Sequence, residues 1–196
     1  MYDKLPNLVL GFHGCANRTK EAILVQREPL KFSQNAYDWL GSGMYFWEQN
    51  LTRAILWANE LHGDEAAVIG AVIDMGYCLN LLDSKCIRRV RDHYSEMKEE
   101  KTLGGKAMPL NRNARGDSDY LLRDLDCMVI ESLHQKMREN GEEPYDTVRG
   151  VFIEGGRIYP TAGIFEKSHI QICVRNPNCI KGFFDPRDTD GNYQDP

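Results

Sequence analysis

Apolar positions fall in two rhythms along this chain. Leu8, Val9 and Leu10 form one continuous apolar run, and Ala66 to Ile73 form another, interrupted only by Gly70. Such runs predict strands over residues 7–12 and 66–74, the first of them covered on both faces. Elsewhere the spacing is helical. Leu51, Ala54, Ile55 and Ala58 share one face behind Asn50, a good N-cap, and predict a helix over 50–60. Leu121, Leu122, Leu125, Met128, Val129 and Leu133 do the same over 120–140, where Gly141 ends the pattern.

The remaining segments fill in between these four. A helix capped by Asn17 or Thr19 runs to Val25, and Gly41 and Gly43 launch a short strand over 44–47. Residues 77–82 continue the sheet or turn off it, and 84–100 form a charged helix. The stretch 102–119, rich in Gly, Asn, Arg and Lys, is a long loop, and a loop of that length is functional or mobile. Strands are expected at 147–154, 157–159, 168–174 and 179–184, before a polar tail over 185–196. The order of elements points to an α+β fold with mostly antiparallel sheets. One domain over 1–184 is expected, with a helical insertion at about 84–140.

Composition narrows the class. The chain has 196 residues, a net charge of −5 and 42% hydrophobic content, which suits one globular domain and argues against a general nucleic-acid binder. Six cysteines are scattered without a C-x-x-C pair, so reduced thiols and a cytoplasmic setting are expected. No signal-peptide pattern opens the chain, and no apolar run approaches the ~20 residues needed to span a bilayer. No cluster has metal-ligand spacing, so no metal is expected. A Gly-x-Ser-x-Gly hydrolase signature is also missing.

The candidate chemistry lies in 11–60. Gly11-Phe12-His13-Gly14 precedes Gly41-Ser42-Gly43-Met44-Tyr45-Phe46-Trp47, and a helix with Ala54 follows. A histidine in an apolar strand is by itself more often a core residue, and Phe46 and Trp47 read most simply as core aromatics. The glycine after His13 and the Gly-x-Gly-Met-Tyr run give the histidine its weight. Together these segments suit a narrow, flat-walled slot for a planar ring carrying a sugar.

This pattern resembles the diphtheria-toxin and poly(ADP-ribose) polymerase branch of the ADP-ribosyltransferases, identified by a His–Tyr–Glu set. Ala54 lies nine residues after Tyr45, as in the polymerases, and Gln171, with Ile180 nine residues on, stands at the third position. The match is good over 8–60, looser over 147–184 and absent in the helical middle. The resemblance implies two small, mostly antiparallel sheets clasping an NAD cleft, with helices outside. His13 would bond a ribose hydroxyl, the backbone of Gly14 would hold the nicotinamide carboxamide, and Tyr45 would stack on the ring. Trp57 would supply a second wall where relatives carry a tyrosine at the place of Leu56. Ser33 and Asn35 lie in the segment that covers the adenine and pyrophosphate in relatives, and Arg53 replaces a serine that holds the carboxamide.

Gln171 can donate and accept hydrogen bonds, but it is neither a base nor an anion. The resemblance therefore implies mono-ADP-ribosyl transfer from NAD to a macromolecular acceptor, protein or nucleic acid, with Glu166 as the helper carboxylate. A toxin-like setting with an antitoxin partner goes with it. Two alternatives stay open: NAD glycohydrolysis, and a non-catalytic module that binds NAD or ADP-ribose.

Overall fold

The computed structural model describes residues 8–105, 107–113 and 120–187. In chain order the elements are β1 (Leu8–Ala16), α1 (Asn17–Leu24), β2 (Met44–Glu48), α2 (Leu51–His62), β3 (Ala66–Asp74), β4 (Cys78–Asn80), α3 (Ser84–Leu103), α4 (Asp124–Glu139), β5 (Thr147–Phe152), β6 (His169–Val174) and β7 (Ile180–Phe184). The class is α+β. All seven strands join one mixed sheet in the order β4-β5-β6-β2-β1-β3-β7. Among the described residues only the β4–β5 pair is parallel.

The expectation of two sheets is corrected here, and the reason is local. β1 pairs with β3 along its whole length, from Leu8↔Asp74 to Ala16↔Ala66. With β2 it registers only at Gly11↔Glu48 and Phe12↔Trp47, closed off by the Gln49 N–H donating to the Leu10 carbonyl at 2.9 Å. The two halves are thus stitched at one end and forked at the other. Strand β1 also runs on through His13 and Gly14 to Ala16, because the β3 ladder carries it there. At its start Leu8 and Leu10 are exposed, so the apolar run is covered on one face only. Arg157 forms a single bridge to Phe165 in place of the expected strand.

Three apolar clusters hold the elements. One face of the sheet packs Phe46, Ile69, Ile73 and Ile172 with Ile23 of α1. On the other face, α2 lays Ala54 and Ala58 against Trp47 and Val68, while Ile130, Leu133 and Met137 of α4 cover Val148 and Cys173. The first turn of α2 is fixed as expected, with the Asn50 side chain accepting from the Arg53 N–H at 3.0 Å. Helix α1 begins without a side-chain cap, Ala16 standing at that position. Lys106, Arg115 and the tail from 188 lie outside the described residues, and Arg112 pairs with Asp124 at 3.0 Å. Among the described residues no helix is long and apolar enough to cross a membrane.

Candidate functional site

The fork leaves the end of β1 with an unpaired edge. Because the Leu10 carbonyl faces β2 and strand backbone groups alternate sides, Phe12, Gly14 and Ala16 direct theirs the same way. The ladder with β2 stops at Phe12, so the N–H and C=O of Gly14 face the gap. A cavity of about 740 Å³ opens on this edge, lined by His13, Gly14, Trp57 and His62 together with Arg18 of α1 and Glu28 and Lys31 of the following segment. Gly14 is needed for a steric reason: a Cβ there would lie 2.7 Å from the Ala54 carbonyl oxygen and 3.0 Å from the Trp57 ring.

His13 reaches across the fork, its Nδ1 lying 2.8 Å from the Tyr45 carbonyl oxygen. A carbonyl can only accept, so Nδ1 carries the hydrogen and Nε2 keeps the lone pair. Burial lowers the His13 pKa, against the raising effect of that hydrogen bond, and the positive field of His62 adds to the lowering. The ring is thus held neutral, as a hydrogen-bond acceptor.

Tyr45 and Gln171 do not join His13, contrary to expectation. Strand register explains it. Phe12 faces Trp47, and Trp47 faces Gln171 while Tyr45 faces Cys173. Directly paired residues share a sheet face, so Tyr45, Trp47 and Gln171 occupy one face and His13 the other. The Tyr45 hydroxyl donates to the Gly41 carbonyl at 2.8 Å and accepts from the Leu40 N–H at 3.0 Å. Gln171 Oε1 accepts from the Trp39 indole at 2.6 Å. Both side chains fasten the 38–43 segment, and Tyr45 meets His13 only through its main chain.

Other expected positions divide similarly. Trp57 does form a wall of the cavity, its ring tilted 51° against that of Trp47 with centroids 5.4 Å apart. Ser33 pairs with Gly43 through main-chain bonds of 2.8 and 3.1 Å, and Asn35 bonds Asp38 and Ser33; neither lines the His13 cavity. Glu166 is exposed, and its N–H donates to the Gly156 carbonyl in the turn before β6. It too lies off the cavity, because that turn belongs to the far side of the fork.

Arg53 cannot stand in for a carboxamide-holding serine in this arrangement. Its Nη2 is engaged by both Glu154 oxygens at 3.0 and 2.8 Å. Its Nε and Nη1, with Trp47 Nε1 and His169 Nε2, are buried without hydrogen-bond partners. These three side chains meet where β2, β5 and β6 end against α2. His62, Arg18 and Lys31 were missed in the sequence. His62 would have emerged had the helical pattern been extended two residues past Glu60.

Comparison with protein-family models, with curated proteins and with solved structures gives no match. The chemistry on offer is that of the cavity. It offers a backbone donor and acceptor side by side, a flat indole wall, a neutral imidazole acceptor, and two cations. That set suits a planar amide-bearing ring joined to a hydroxylated sugar and an anionic group. Among the described residues no group of His, Cys, Asp and Glu could hold a metal ion.

Proposed function

We propose that this chain binds NAD at the fork and transfers one ADP-ribosyl group to a macromolecular acceptor, releasing nicotinamide. The observation that carries this reading is the convergence of His13, Gly14 and Trp57 on one cavity at the free edge of β1. Gly14 would hold both polar ends of the carboxamide through its backbone. Trp57 would face the ring, a contact worth roughly 0.5–1.5 kcal/mol beyond burial. His13 Nε2 would accept from a ribose hydroxyl and so orient the sugar. Arg18 and Lys31 would offset the pyrophosphate charge. NAD supplies an N-glycosidic bond already weakened by its cationic ring; the residues supply orientation and exclusion of water.

We infer transfer of one unit, not chain growth, because Gln171 stands without charge at the third position of the resemblance and its Oε1 is held by Trp39. All six cysteines are free thiols, which suits a reducing, cytoplasmic setting. One other reading has an observation in its favour. The internal engagement of Tyr45 and Gln171 suits a module that binds NAD or ADP-ribose without turning it over.

The test is incubation of the full chain with labelled NAD and a cell lysate, followed by separate protease and nuclease digestion. Transfer predicts free nicotinamide and label on one class of macromolecule. Calorimetric NAD binding with no nicotinamide release selects the binding module. Failure to bind NAD at all ends both readings.

A further inference from the structure

Transfer needs a group to take the acceptor's proton, and Gln171 cannot. We propose that His62 is the catalytic base of the reaction, a role that rests on the NAD reading above. The other titratable residues of the cavity are unsuited to the role. Arg18 and Lys31 are cations that only donate. The Cys15 thiol is buried, and that burial raises its pKa, which keeps it protonated. His13 spends Nδ1 on the Tyr45 carbonyl and its remaining lone pair on the sugar. Glu28 and His62 are left.

Geometry separates these two. Glu28 is exposed, on the segment after α1. His62 ends α2 and is half-buried, its ring edge-on to Trp57 with centroids 6.1 Å apart at 76°. It lies close enough to His13 for its charge to act on that ring. Neither His62 nitrogen is hydrogen-bonded among the described residues. An uncommitted imidazole thus stands beside both the wall assigned to the nicotinamide and the residue assigned to the ribose. The charged groups sharing the cavity with it are Arg18, Glu28 and Lys31.

The step balances. The acceptor's O–H or N–H proton moves to the His62 lone pair, and the acceptor's electron pair forms the bond to ribose C1′. The C1′–N bond breaks, and its pair leaves on nicotinamide as a neutral pyridine. His62 then returns the proton to water.

Nicotinamide release from NAD in the presence of cell lysate, followed across pH, tests this. His62→Gln is expected to lower kcat by about 10²-fold or more with KM for NAD unchanged, and to remove the acidic limb of the kcat profile. Added imidazole is expected to restore rate to His62→Ala, a rescue that a packing defect would not allow. Glu28→Gln is expected to keep the acidic limb. Full kcat in His62→Gln, or loss of rate through KM without imidazole rescue, overturns the assignment. If the unaltered chain releases no nicotinamide, the transfer reading falls and the base falls with it. An active chain with an indifferent His62 sinks only the base.

Discussion

The two halves of the sheet use similar residues to opposite ends. In the β1-β3-β7 half, His13, Gly14, Trp57 and His62 turn polar or flat surfaces toward a cavity. In the β4-β5-β6-β2 half, Tyr45, Gln171 and Trp39 spend theirs on one another and on the backbone. Glu131 accepts from the Ser42 N–H at 2.6 Å and bonds Arg175 as well, and the Arg123 guanidinium lies 4.0 Å from the Phe152 ring centroid. A glutamine or tyrosine at a motif position is therefore not yet a site residue. What decides is whether its polar atoms are already paired inside the fold. Under the NAD proposal, the uncommitted groups make the first half the binding side and the second its support.

A buried ion pair is among the contacts that cross between the halves, and breaking it is expected to have the largest effect. Arg53 belongs to α2, packed on β1, whereas Glu154 follows β5. The pair is 2.8 Å apart, with side chains 7% and 15% exposed. Removing one member leaves the other charge desolvated, which costs about 3–5 kcal/mol in buried pairs. Arg53→Met is expected to lose that much in urea denaturation, and Arg53→Met with Glu154→Gln to regain most of it. If the single variant is as stable as the parent, the halves are held by the strand ladder and not by this pair.

Acid is expected to act mainly through the supporting half. Burial lowers the pKa of His134 on α4 to about 4 from 6.5. Between those values the unfolded chain binds the proton and the folded chain does not, so stability falls as pH falls through this window. The full effect is about 3 kcal/mol, at no more than about 1.4 kcal/mol per pH unit. Urea midpoints measured from pH 7 to pH 4 check this. His134→Leu is expected to remove one proton's share of the slope, while His13 and His169, also lowered by burial, keep the rest.

Two glycines give a matched pair across the fork. A Cβ on Gly14 meets the Ala54 oxygen at 2.7 Å, and one on Gly150 meets the Trp39 ring at 2.6 Å. Either alanine variant is expected to cost about 1–3 kcal/mol through overpacking. Only Gly14→Ala is expected to abolish NAD binding by calorimetry, since only Gly14 faces the cavity. Equal loss in both would erase the distinction between the halves.

Much of this fold was legible in the sequence. Strand β3 spans the predicted 66–74, and α2 begins behind its predicted cap Asn50, because continuous apolar runs and a capping side chain are local signals. His13, Gly14 and Trp57 were singled out by the resemblance and not by a period: the predicted strand stops at Phe12, and only pairing with β3 carries it on to Ala16. The sheet face of Tyr45 and Gln171 was not legible. It depends on the register Phe12↔Trp47↔Gln171, set by pairing between distant segments, and a shift of one residue would turn every side chain over. The ion pair of Arg53 with Glu154, 101 residues apart, left no local trace either.

The smallest expected effect probes the assignment of Gln171 most directly. Its Oε1 takes the Trp39 N–H at 2.6 Å, so Trp39→Phe keeps a ring over Phe152 and deletes one hydrogen bond. The net loss for such a bond is about 1 kcal/mol, read as a shift in the urea midpoint. If Gln171 only fastens the 38–43 segment, NAD affinity should be unchanged in this variant, and Gln171→Leu should behave alike. If Gln171 instead works on the sugar, freeing its carboxamide should alter NAD affinity or nicotinamide release in Trp39→Phe, and Gln171→Leu should lose turnover beyond any change in stability. The second pattern would move Gln171 from the supporting half to the binding half, and it would require β6 to present the other edge of that side chain to the fork.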